Sequence, residues 1–425
     1  MSGELRLKFY GGAQEVGRSA IMLIDEENKK NILMDYGIKI NHIIDYPGSI
    51  PKIDAAILSH AHLDHSGFMP AIYNDYRVPC FGTKPTLEIS LLLIADSLKI
   101  EKRRHIERKY GNKQIIKFRK NYIDIEYNKK IPFGNYDITL HDAGHISGSA
   151  ITEIIRRNAK DNKKIVYTGD FKLQNQTLLK GAEIVKSDVL IIESTYATSE
   201  HTDRNELIKN FIEEINVTLE EGGNVLIPAF AVGRSQEILA LLYKNNFIKD
   251  TYIDGMAKEA TEITLKYPDY ISDAETLSNA FNEVNIVNEF SERKEALKKP
   301  SIILTTSGML SGGPVLDYIT KLRPKSHILL TGYQTEKTNG RMLLEEHSIM
   351  LNDEKKKINY EVGFYDFSAH AGRSDLLEYI KRSEPHTVVC VHGDRDNAQR
   401  LAEELNEKGY ESYAPKINDV IKLKR

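Results

Sequence analysis

The stretch that decides the fold is residues 57–65, which read Ile57-Leu-Ser-His-Ala-His-Leu-Asp-His65. The apolar run at residues 55–58 predicts a buried strand, because it is too short for a helix. Gly67 follows and predicts a turn. In an extended segment, side chains two residues apart project to the same side, so His60 and His62 can bind one metal ion.

Asp64 and His65 lie just past the expected bend, where they can face a second ion. Imidazole and carboxylate ligands suit zinc or a similar divalent ion, and three protein ligands with one open position are typical of catalytic sites. The alternative is a solvated polar turn that contains histidine by chance. The chain has 13 His in 425 residues, so three within residues 60–65 favour a metal site.

Length and composition indicate a globular protein of about two or three domains. Its formal net charge is −3, so an anionic partner must be bound by a local basic surface. Cys80 and Cys390 are the only cysteines, and they imply no disulfide framework. We find no signal-peptide core and no run long enough to span a bilayer, so we expect a cytoplasmic protein without a membrane partner.

The N-terminal region predicts a meander of strands over residues 5–9, 20–24 and 31–34. Asp35 follows the last of these strands. It is either an ordinary turn-forming residue or a carboxylate that orients a metal-binding histidine through its other ring nitrogen.

A helix with a basic end is predicted over residues 86–102 from its apolar spacing. The segment Glu101-Lys-Arg-Arg-His-Ile-Glu-Arg-Lys109 can bind nucleic acid or form a solvated helix face. Acidic residues interrupt the basic run, which favours the solvated face.

Three later apolar strands are each followed by an ionisable residue. Strands predicted at residues 136–140, 164–168 and 189–192 lead to His145, Asp170 and Glu193 respectively. This pattern predicts a site along one edge of a sheet, where loops carry chemistry on a rigid scaffold.

From about Thr195, alternating helices and strands predict a second, Rossmann-like α/β domain. A helix is expected from a cap near Thr202-Asp203 to the glycines at 222–223. The loops at residues 307–313 and 332–341 combine backbone amides, hydroxyls and cations, which suit phosphate oxygens, although ordinary strand–helix turns are the alternative.

The final segment shows the same pattern as the N-terminal region, in which an apolar strand is followed by a histidine. A strand at residues 361–365 leads to His370, and a strand at residues 387–391 leads to His392. A buried structural histidine is the alternative for each, but the loop context favours a site. Residues 353–357 are predicted to be a short charged linker between domains.

The sequence motifs together resemble the metallo-β-lactamase-fold nucleases of the β-CASP group. The chain is similar to the nuclease subunit of the cleavage and polyadenylation specificity factor and to its archaeal relatives. RNase J is a close cousin, but neither its extra C-terminal domain nor an N-terminal KH-type region is recognised. The motifs that carry the resemblance are residues 59–65, Tyr167-Thr-Gly-Asp-Phe171, Glu193-Ser-Thr-Tyr196, Pro228-Ala-Phe-Ala-Val-Gly-Arg234, Gly308-Met-Leu-Ser-Gly-Gly-Pro314 and Phe367-Ser-Ala-His370.

The resemblance implies an α/β protein, an αββα metallo-β-lactamase sandwich with an inserted Rossmann-like α/β β-CASP domain. Residues 1–195 and 354–425 would form the sandwich, and residues 196–353 the β-CASP cap.

The resemblance also implies a site with two divalent ions, expected to be Zn²⁺ with Mn²⁺ as the alternative. His60, His62 and His145 would hold the first ion. Asp64, His65 and His392 would hold the second, and Asp170 would bridge both. His370 would protonate the leaving group, oriented by Glu193, and Asp64 and Asp35 would complete the catalytic set.

The implied activity is hydrolysis of RNA to 5′-phosphate products, with single-stranded RNA as the partner. We predict a 5′→3′ exonuclease; a 3′-end-processing endoribonuclease and a non-catalytic RNA-binding scaffold are the alternatives. A small-molecule hydrolase shares the first motif but does not need the cap. A homodimer or an RNA-degrading complex is the expected assembly. The predicted RNA contacts are Arg234, Ser307, Gly308, Ser311, Lys337, Arg341, Ser368 and Arg373.

Overall fold

The protein structure is a computed structural model that describes residues 4–40, 44–107, 109–157 and 162–423. The chain separates into two compact units. The first contains Met1–Asn175, Lys180–Glu200 and His370–Arg425, and the second contains Gln176–Leu179 and His201–Ala369. Within the described ranges, no helix combines the length and apolar character needed to cross a bilayer.

The N-terminal part of the first unit consists mostly of strands. These strands are β1 (Leu5–Gly11), β2 (Ala20–Asp25), β3 (Lys30–Met34), β4 (Lys39–Ile40), β5 (Ile44–Asp45), β6 (Ala55–Ile57), β7 (Cys80–Gly82), β8 (Tyr122–Asp124), β9 (Ile131–Phe133), β10 (Tyr136–Asp142), β11 (Ala150–Arg156), β12 (Lys163–Tyr167) and β13 (Val189–Glu193). The helices are α1 (Leu63–Ser66), α2 (Lys84–Arg103) and α3 (Asn112–Asn121), with a 3₁₀ turn at Met69–Asn74.

The second unit alternates strands and helices. Its strands are β14 (Asn224–Pro228), β15 (Thr251–Asp254), β16 (Asn285–Ile286), β17 (Ser301–Thr305), β18 (His327–Leu330), β19 (Ser348–Leu351), β20 (Glu354–Lys357) and β21 (Glu361–Phe364). Its helices are α4 (Arg204–Glu220), α5 (Arg234–Lys244), α6 (Ala257–Leu265), α7 (Ala274–Glu283), α8 (Phe290–Lys298), α9 (Val315–Tyr318) and α10 (Asn339–Glu346), with 3₁₀ turns at Ile248–Asp250 and Pro268–Tyr270.

The chain then returns to the first unit. The closing elements are α11 (Arg373–Ser383), β22 (Thr387–Val391), α12 (Arg395–Glu407), β23 (Glu411–Tyr413) and β24 (Val420–Leu423).

The first unit is the αββα sandwich that the sequence predicts. One sheet has the strand order β24-β1-β2-β3-β6-β7-β8, and the other β23-β22-β13-β12-β11-β10-β9. Leu7 and Phe9 of β1 share one apolar cluster with Ile138 of β10 and Ile191 of β13, so a core lies between the sheets. Helices α2 and α3 cover the outer face of the first sheet, and α11 and α12 cover that of the second.

Both ends of the chain build this sandwich. Strand β24 pairs with β1, and β22 pairs in parallel with β13. Residues of β1 alternate between buried and partly exposed at its start, whereas β13 is buried throughout. A parallel strand at the centre of a covered sheet has both faces in contact with apolar neighbours, which accounts for the continuous apolar run of β13.

The second unit has the predicted Rossmann-like architecture. Its parallel sheet has the order β16-β15-β17-β14-β18-β21, with apolar clusters on both faces. The Asp203 side chain accepts hydrogen bonds from two backbone amides and caps α4. After β14, the next strand of the chain in this sheet is β15, which lies on one side of β14. After the neighbouring β18, the next strand in this sheet is β21, which lies on the opposite side. Such divergence opens a crevice at the carboxyl ends of these strands.

The boundary of the second unit differs from the sequence prediction. The supposed linker at residues 353–357 contains β20, which forms a hairpin with β19. Strand β21 pairs with β18 in the sheet of the second unit, and its Val362 packs on an apolar cluster there. The second unit therefore continues to Ala369 instead of ending at Asp353, because strand patterning does not reveal which sheet a strand joins. Strand β11 was not predicted from the sequence.

Candidate metal centre

The candidate metal centre lies entirely in the first unit, where loops leave the ends of several strands. The segment with His60, His62, Asp64 and His65 follows β6. The other site residues lie at or after the ends of strands β10, β12, β13 and β22, or just before α11. These other residues are His145, Asp170, Glu193, His392 and His370. The structure thus brings together all the residues that the resemblance implies as ligands.

A first group is formed by His60, His62, His145 and Asp170. Each offers a ligand atom, and these atoms lie within 4.8 Å of one another. His62 Nδ1 lies 3.1 Å from His145 Nε2, and His60 Nε2 lies 3.5 Å from Asp170 Oδ2. Three imidazoles and one carboxylate are a donor set that suits zinc and similar ions.

A second group is formed by Asp64, His65, His392 and the same Asp170. His65 Nε2 lies 3.3 Å from His392 Nε2, and His392 Nε2 lies 3.3 Å from Asp64 Oδ2. Asp170 therefore belongs to both groups.

Two buried atoms of these groups show that the residues fit a cation. His60 Nε2 and Asp170 Oδ1 have no hydrogen-bond partner among the described residues, although Asp170 Oδ1 lies 3.1 Å from His392 Nδ1. A buried polar atom without a partner costs free energy. A divalent cation between these donors would remove that cost, as expected where metal binding is coupled to folding.

The charges of the centre are arranged for cation binding. Burial, with the neighbouring charge of His65, lowers the pKa of His60 well below its usual value, so this ligand is neutral. For Asp170, burial raises the pKa, but His392 and His65 outweigh it and hold that pKa well below its usual value. For His65, burial lowers the pKa, but Asp170 and Asp35 outweigh it and raise that pKa well above its usual value. A cation must therefore displace a proton from His65.

Asp35 orients His65 directly, and it orients His60 through the hydroxyl of Ser59. Its carboxylate lies 2.7 Å from His65 Nδ1 and accepts hydrogen bonds from the amide and hydroxyl of Ser59 and from the Tyr167 hydroxyl. Because the Ser59 hydroxyl donates to Asp35, it accepts from His60 Nδ1 at 3.1 Å. Both imidazoles then carry their proton on Nδ1 and leave Nε2 free for a cation.

Two non-glycine residues of the centre have a left-handed backbone conformation. Asp35 and His392 have φ values of 58° and 47°, in the left-handed region that non-glycine residues rarely occupy. Gly169, with φ 54°, precedes Asp170, and an added Cβ would lie 2.8 Å from Ser59 Cβ. This position needs glycine so that Asp170 can approach the histidine loop.

The predicted contact between Glu193 and His370 is present. His370 Nδ1 lies 2.9 Å from Glu193 Oε2, and Glu193 Oε1 also accepts from the amide of Phe171. Burial lowers the pKa of His370, but the charges of Glu193 and Asp170 outweigh it and raise the pKa to about 9. Asp170, Glu193 and His370 also form a third group with metal-binding spacing. The geometry of His370 is therefore compatible with two roles, metal ligand and proton donor.

Sequence reasoning missed the residues that position this centre. Ser59 and Tyr167 lie in the motifs that carry the family resemblance, yet their contact with Asp35 was not expected. Lys172 was not singled out, although its ammonium donates to the carbonyl of His370 at 2.9 Å. A lysine two residues after Asp170 carries no periodic pattern that would reveal this contact.

The predicted RNA contacts of the second unit surround its strand ends. The loop at residues 307–313 follows β17, the loop at 332–341 follows β18, and Phe230 follows β14 between them. Gln334 Nε2 donates to the carbonyls of Gly308 and Gly332, which links the two loops. Ser307 Oγ accepts from the amide of Ser311.

The predicted cations differ in accessibility. Arg234, a predicted RNA contact, is only 8% exposed, because the first turn of α5 is buried. Arg341 pairs with Glu345 at 2.6 Å. Lys337 is exposed and forms no ion pair with a described residue.

The two predicted contacts that flank His370 belong to different units. Arg373, in the first unit, pairs with Glu404 at 2.6 Å. Ser368, in the second unit, is buried, so its hydroxyl is not on the open surface.

Known families match successive parts of this chain. The metallo-beta-lactamase superfamily domain matches residues 21–199, the Beta-Casp domain residues 235–343, and the Zn-dependent metallo-hydrolase RNA specificity domain residues 355–415. A solved protein of unknown function from Enterococcus faecalis V583 has a similar fold, with a TM-score of 0.62 and 16% identity over 99% of this chain and 100% of that chain.

Curated archaeal relatives match almost the whole chain. The probable RNase MJ4 of Methanocaldococcus jannaschii is 38% identical, covering 99% of this chain and 100% of the relative. RNase aCSPSF2 of Saccharolobus solfataricus is 34% identical, over 98% of this chain and 85% of the relative. The transcription termination factor FttA of M. jannaschii is 34% identical, over 99% of this chain and 72% of the relative. This chain therefore belongs to the β-CASP family of metallo-β-lactamase-fold nucleases, with archaeal relatives of the cleavage and polyadenylation specificity factor type.

Proposed function

We propose that this chain is a ribonuclease that uses two divalent ions, expected to be Zn²⁺, to hydrolyse single-stranded RNA in the 5′→3′ direction. The observation that carries the proposal is the position of Asp170, whose carboxylate belongs to both histidine groups. His60, His62 and His145 would hold one ion, and Asp64, His65 and His392 the other. When bound, such a pair of ions generates a nucleophile from water at neutral pH and neutralises charge at a phosphodiester.

The chain's own residues supply the remaining chemistry. Glu193 binds His370 Nδ1, so Nε2 is the ring nitrogen from which a proton can pass to the leaving oxygen. The raised pKa of His370, about 9, keeps its imidazole protonated at neutral pH. Lys172 holds the backbone carbonyl of the same residue, which limits how far the imidazole can move.

Support for RNA as the substrate comes from the relatives and from the second unit. Two relatives are named as RNases, and one matched domain is described by RNA specificity. Phe230 and Tyr333 are exposed aromatic residues at the carboxyl ends of β14 and β18. Aromatic side chains stack on unpaired bases whatever their identity, so these positions favour single strands.

Recognition of a 5′-monophosphate is the basis of the proposed direction. Arg373 follows His370 closely in the chain, and its ion pair with Glu404 is partly exposed. Exposed pairs contribute little free energy, so a phosphate can replace Glu404.

An endoribonuclease is the second candidate, because six relatives are named as transcription termination factors. A circular single-stranded RNA separates the two activities when compared with its linear 5′-monophosphorylated form. We expect the linear RNA to be degraded much faster. Equal rates would show that the enzyme is primarily an endonuclease.

The reaction class is tested by offering end-labelled RNA, nitrocefin and a thioester, each with and without chelator. We expect only RNA to be cleaved, and only without chelator. Hydrolysis of nitrocefin or the thioester with RNA intact would identify a small-molecule hydrolase. RNA binding without cleavage by metal-loaded protein would identify a scaffold.

A further inference from the structure

Residues 99–120, which we call the basic segment, differ sharply in charge from the rest of the chain. The segment contains ten Lys and Arg residues and two Glu residues, a net charge of +8. The whole chain carries −3, so the remaining residues carry −11. A local surplus of this size is typical of surfaces that bind polyanions.

The structure places most of the described cations of the basic segment on the surface; Arg108 lies outside the described residues. The segment covers the end of α2, the following turn and most of α3. Seven of its cations are exposed and form no ion pair with a described residue. These are Lys99, Lys102, Arg103, Arg104, Lys113, Arg119 and Lys120.

The acidic residues that interrupt the basic segment do not neutralise this surface. Glu101 is buried and accepts a hydrogen bond from Ser97, so it faces the core. Glu107 pairs with one cation of the described residues, Lys109. In the sequence, these two acidic residues favour a solvated helix face because they interrupt the basic run. In the structure, they leave most of the positive charge of the segment unbalanced.

One face of α3 combines cations with an exposed apolar residue. Ile116 is 66% exposed. Lys113 lies three residues before it, and Arg119 and Lys120 lie three and four residues after it, so all four share one helix face. The opposite side packs into the core through the fully buried Phe118. Ile100, at the end of α2, is 42% exposed, and two isolated isoleucines are too little apolar surface for insertion into a bilayer.

The basic segment is fixed to the elements that follow the metal loop. The Tyr110 hydroxyl donates to the carbonyl of Gly67 at 2.6 Å, and Gly67 caps α1, which carries Asp64 and His65. Lys117 Nζ donates to the carbonyl of Tyr73 at 2.9 Å. A polyanion bound to this segment would therefore be held on the unit that contains the metal centre.

We propose that the basic segment is an accessory RNA-binding surface, which binds backbone phosphates of the substrate strand outside the metal centre. The inference rests on the proposed ribonuclease function and adds a partner surface to it. Its contacts are to phosphates, so it increases affinity for long strands regardless of their sequence.

The test is a triple variant, Lys113→Gln, Arg119→Gln and Lys120→Gln. Its matched control is Lys186→Gln, Lys381→Gln and Lys408→Gln, which removes the same charge from exposed positions elsewhere in the first unit. Binding of a single-stranded RNA of about 30 nucleotides is measured against salt with metal-loaded protein and a non-cleavable backbone. We expect affinity at about 0.1 M salt to fall roughly 10- to 100-fold, and the slope of log K against log salt to shrink by about 2, since each single-strand phosphate contact contributes about 0.7.

A short RNA of about five nucleotides, within the site size of one single-strand-binding surface, should be cleaved by this variant with unchanged kcat. A second variant, Lys102→Gln, Arg103→Gln and Arg104→Gln, should reproduce the loss of long-strand affinity. If both variants bind long RNA as the control does, the inference is overturned while the ribonuclease function stands.

A native chain that neither cleaves nor binds RNA would overturn the proposed function itself. Binding to phosphatidylserine vesicles that the first triple variant loses, with its RNA affinity intact, would assign the surface to a membrane instead and overturn the inference.

Discussion

The metal centre of the first unit and the strand-end crevice of the second unit both form where strands end, but they consist of different kinds of residue. The metal centre consists of ionisable side chains that are mostly buried and linked to one another. The crevice consists of glycine loops tied together by Gln334, with the exposed ring of Phe230 between them. Under the proposed function, the first arrangement would serve chemistry at one fixed point, and the second would serve contact with a variable strand.

This difference determines what a substitution does. In the metal centre each residue has several charged neighbours, so the loss of one residue changes the protonation and metal affinity of the others. In the crevice the proposed contacts with RNA would be largely independent of one another, so we expect small and additive effects. The following predictions test this contrast, from the largest effect to the smallest.

Replacing the shared carboxylate should have the largest effect. The Asp170→Asn protein should lose both ions together and cleave RNA below detection, because one neutral side chain then replaces a ligand of both groups. Elemental analysis after metal reloading and an RNA cleavage assay measure the two effects. Asp188→Asn is the control, since Asp188 accepts a backbone hydrogen bond near the opposite end of the same sheet. Loss of only one ion in Asp170→Asn would contradict the bridging position.

Removing the proposed proton donor should slow the reaction without removing metal. The His370→Ala protein should keep both ions and lose cleavage by roughly 10²- to 10⁴-fold, the range expected for a general acid. Metal content and kcat are measured on the same sample. Loss of an ion would instead place His370 in the coordination shell, as the third group of Asp170, Glu193 and His370 allows.

Removing the negative charge of Asp35, which contacts His65, should weaken metal binding. The Asp35→Asn protein should bind metal about 10- to 100-fold more weakly, because it no longer fixes the proton of His65 on Nδ1. Competition with a chelator measures the affinity. Asp25→Asn is the matched control, since that buried carboxylate pairs with Arg156 away from the site. An equal loss of metal affinity in both variants would indicate general destabilisation.

In the crevice, truncation of the exposed ring should affect binding alone. The Phe230→Ala protein should bind single-stranded RNA about fivefold more weakly, the lower end of the range for one stacked base, with unchanged metal content. Phe290→Ala removes an exposed phenylalanine on α8 and should change nothing. If the two variants lose affinity equally, Phe230 does not stack on a base.

The smallest effect should come from one exposed cation. The Lys337→Gln protein should bind RNA slightly more weakly, with a salt slope reduced by about 0.7, as for one lost phosphate contact. Titrations at several salt concentrations measure this slope, and an unchanged slope would remove Lys337 from the RNA surface.

The same contrast explains what the sequence predicted well. His60, His62 and the residues after later strands were identified because metal binding demands particular side chains, and strand periodicity showed that they leave sheets at one edge. The αββα sandwich was implied by the resemblance of the motifs to a known family, and the strand pattern alone did not define it. Strand β21 was assigned to the wrong unit, since its apolar pattern suits either sheet. The depth of Arg234 and the inward direction of Glu101 depend on packing, which residue type alone does not reveal.

The central claim is that the histidine and aspartate residues of the first unit form one centre for two cations. The most direct test is the metal stoichiometry of the native chain, stripped of adventitious metal, reloaded with Zn²⁺ and measured by elemental analysis. We predict two ions per chain, because the two groups share Asp170 yet have separate histidine ligands. A stoichiometry of one ion or none would contradict this account.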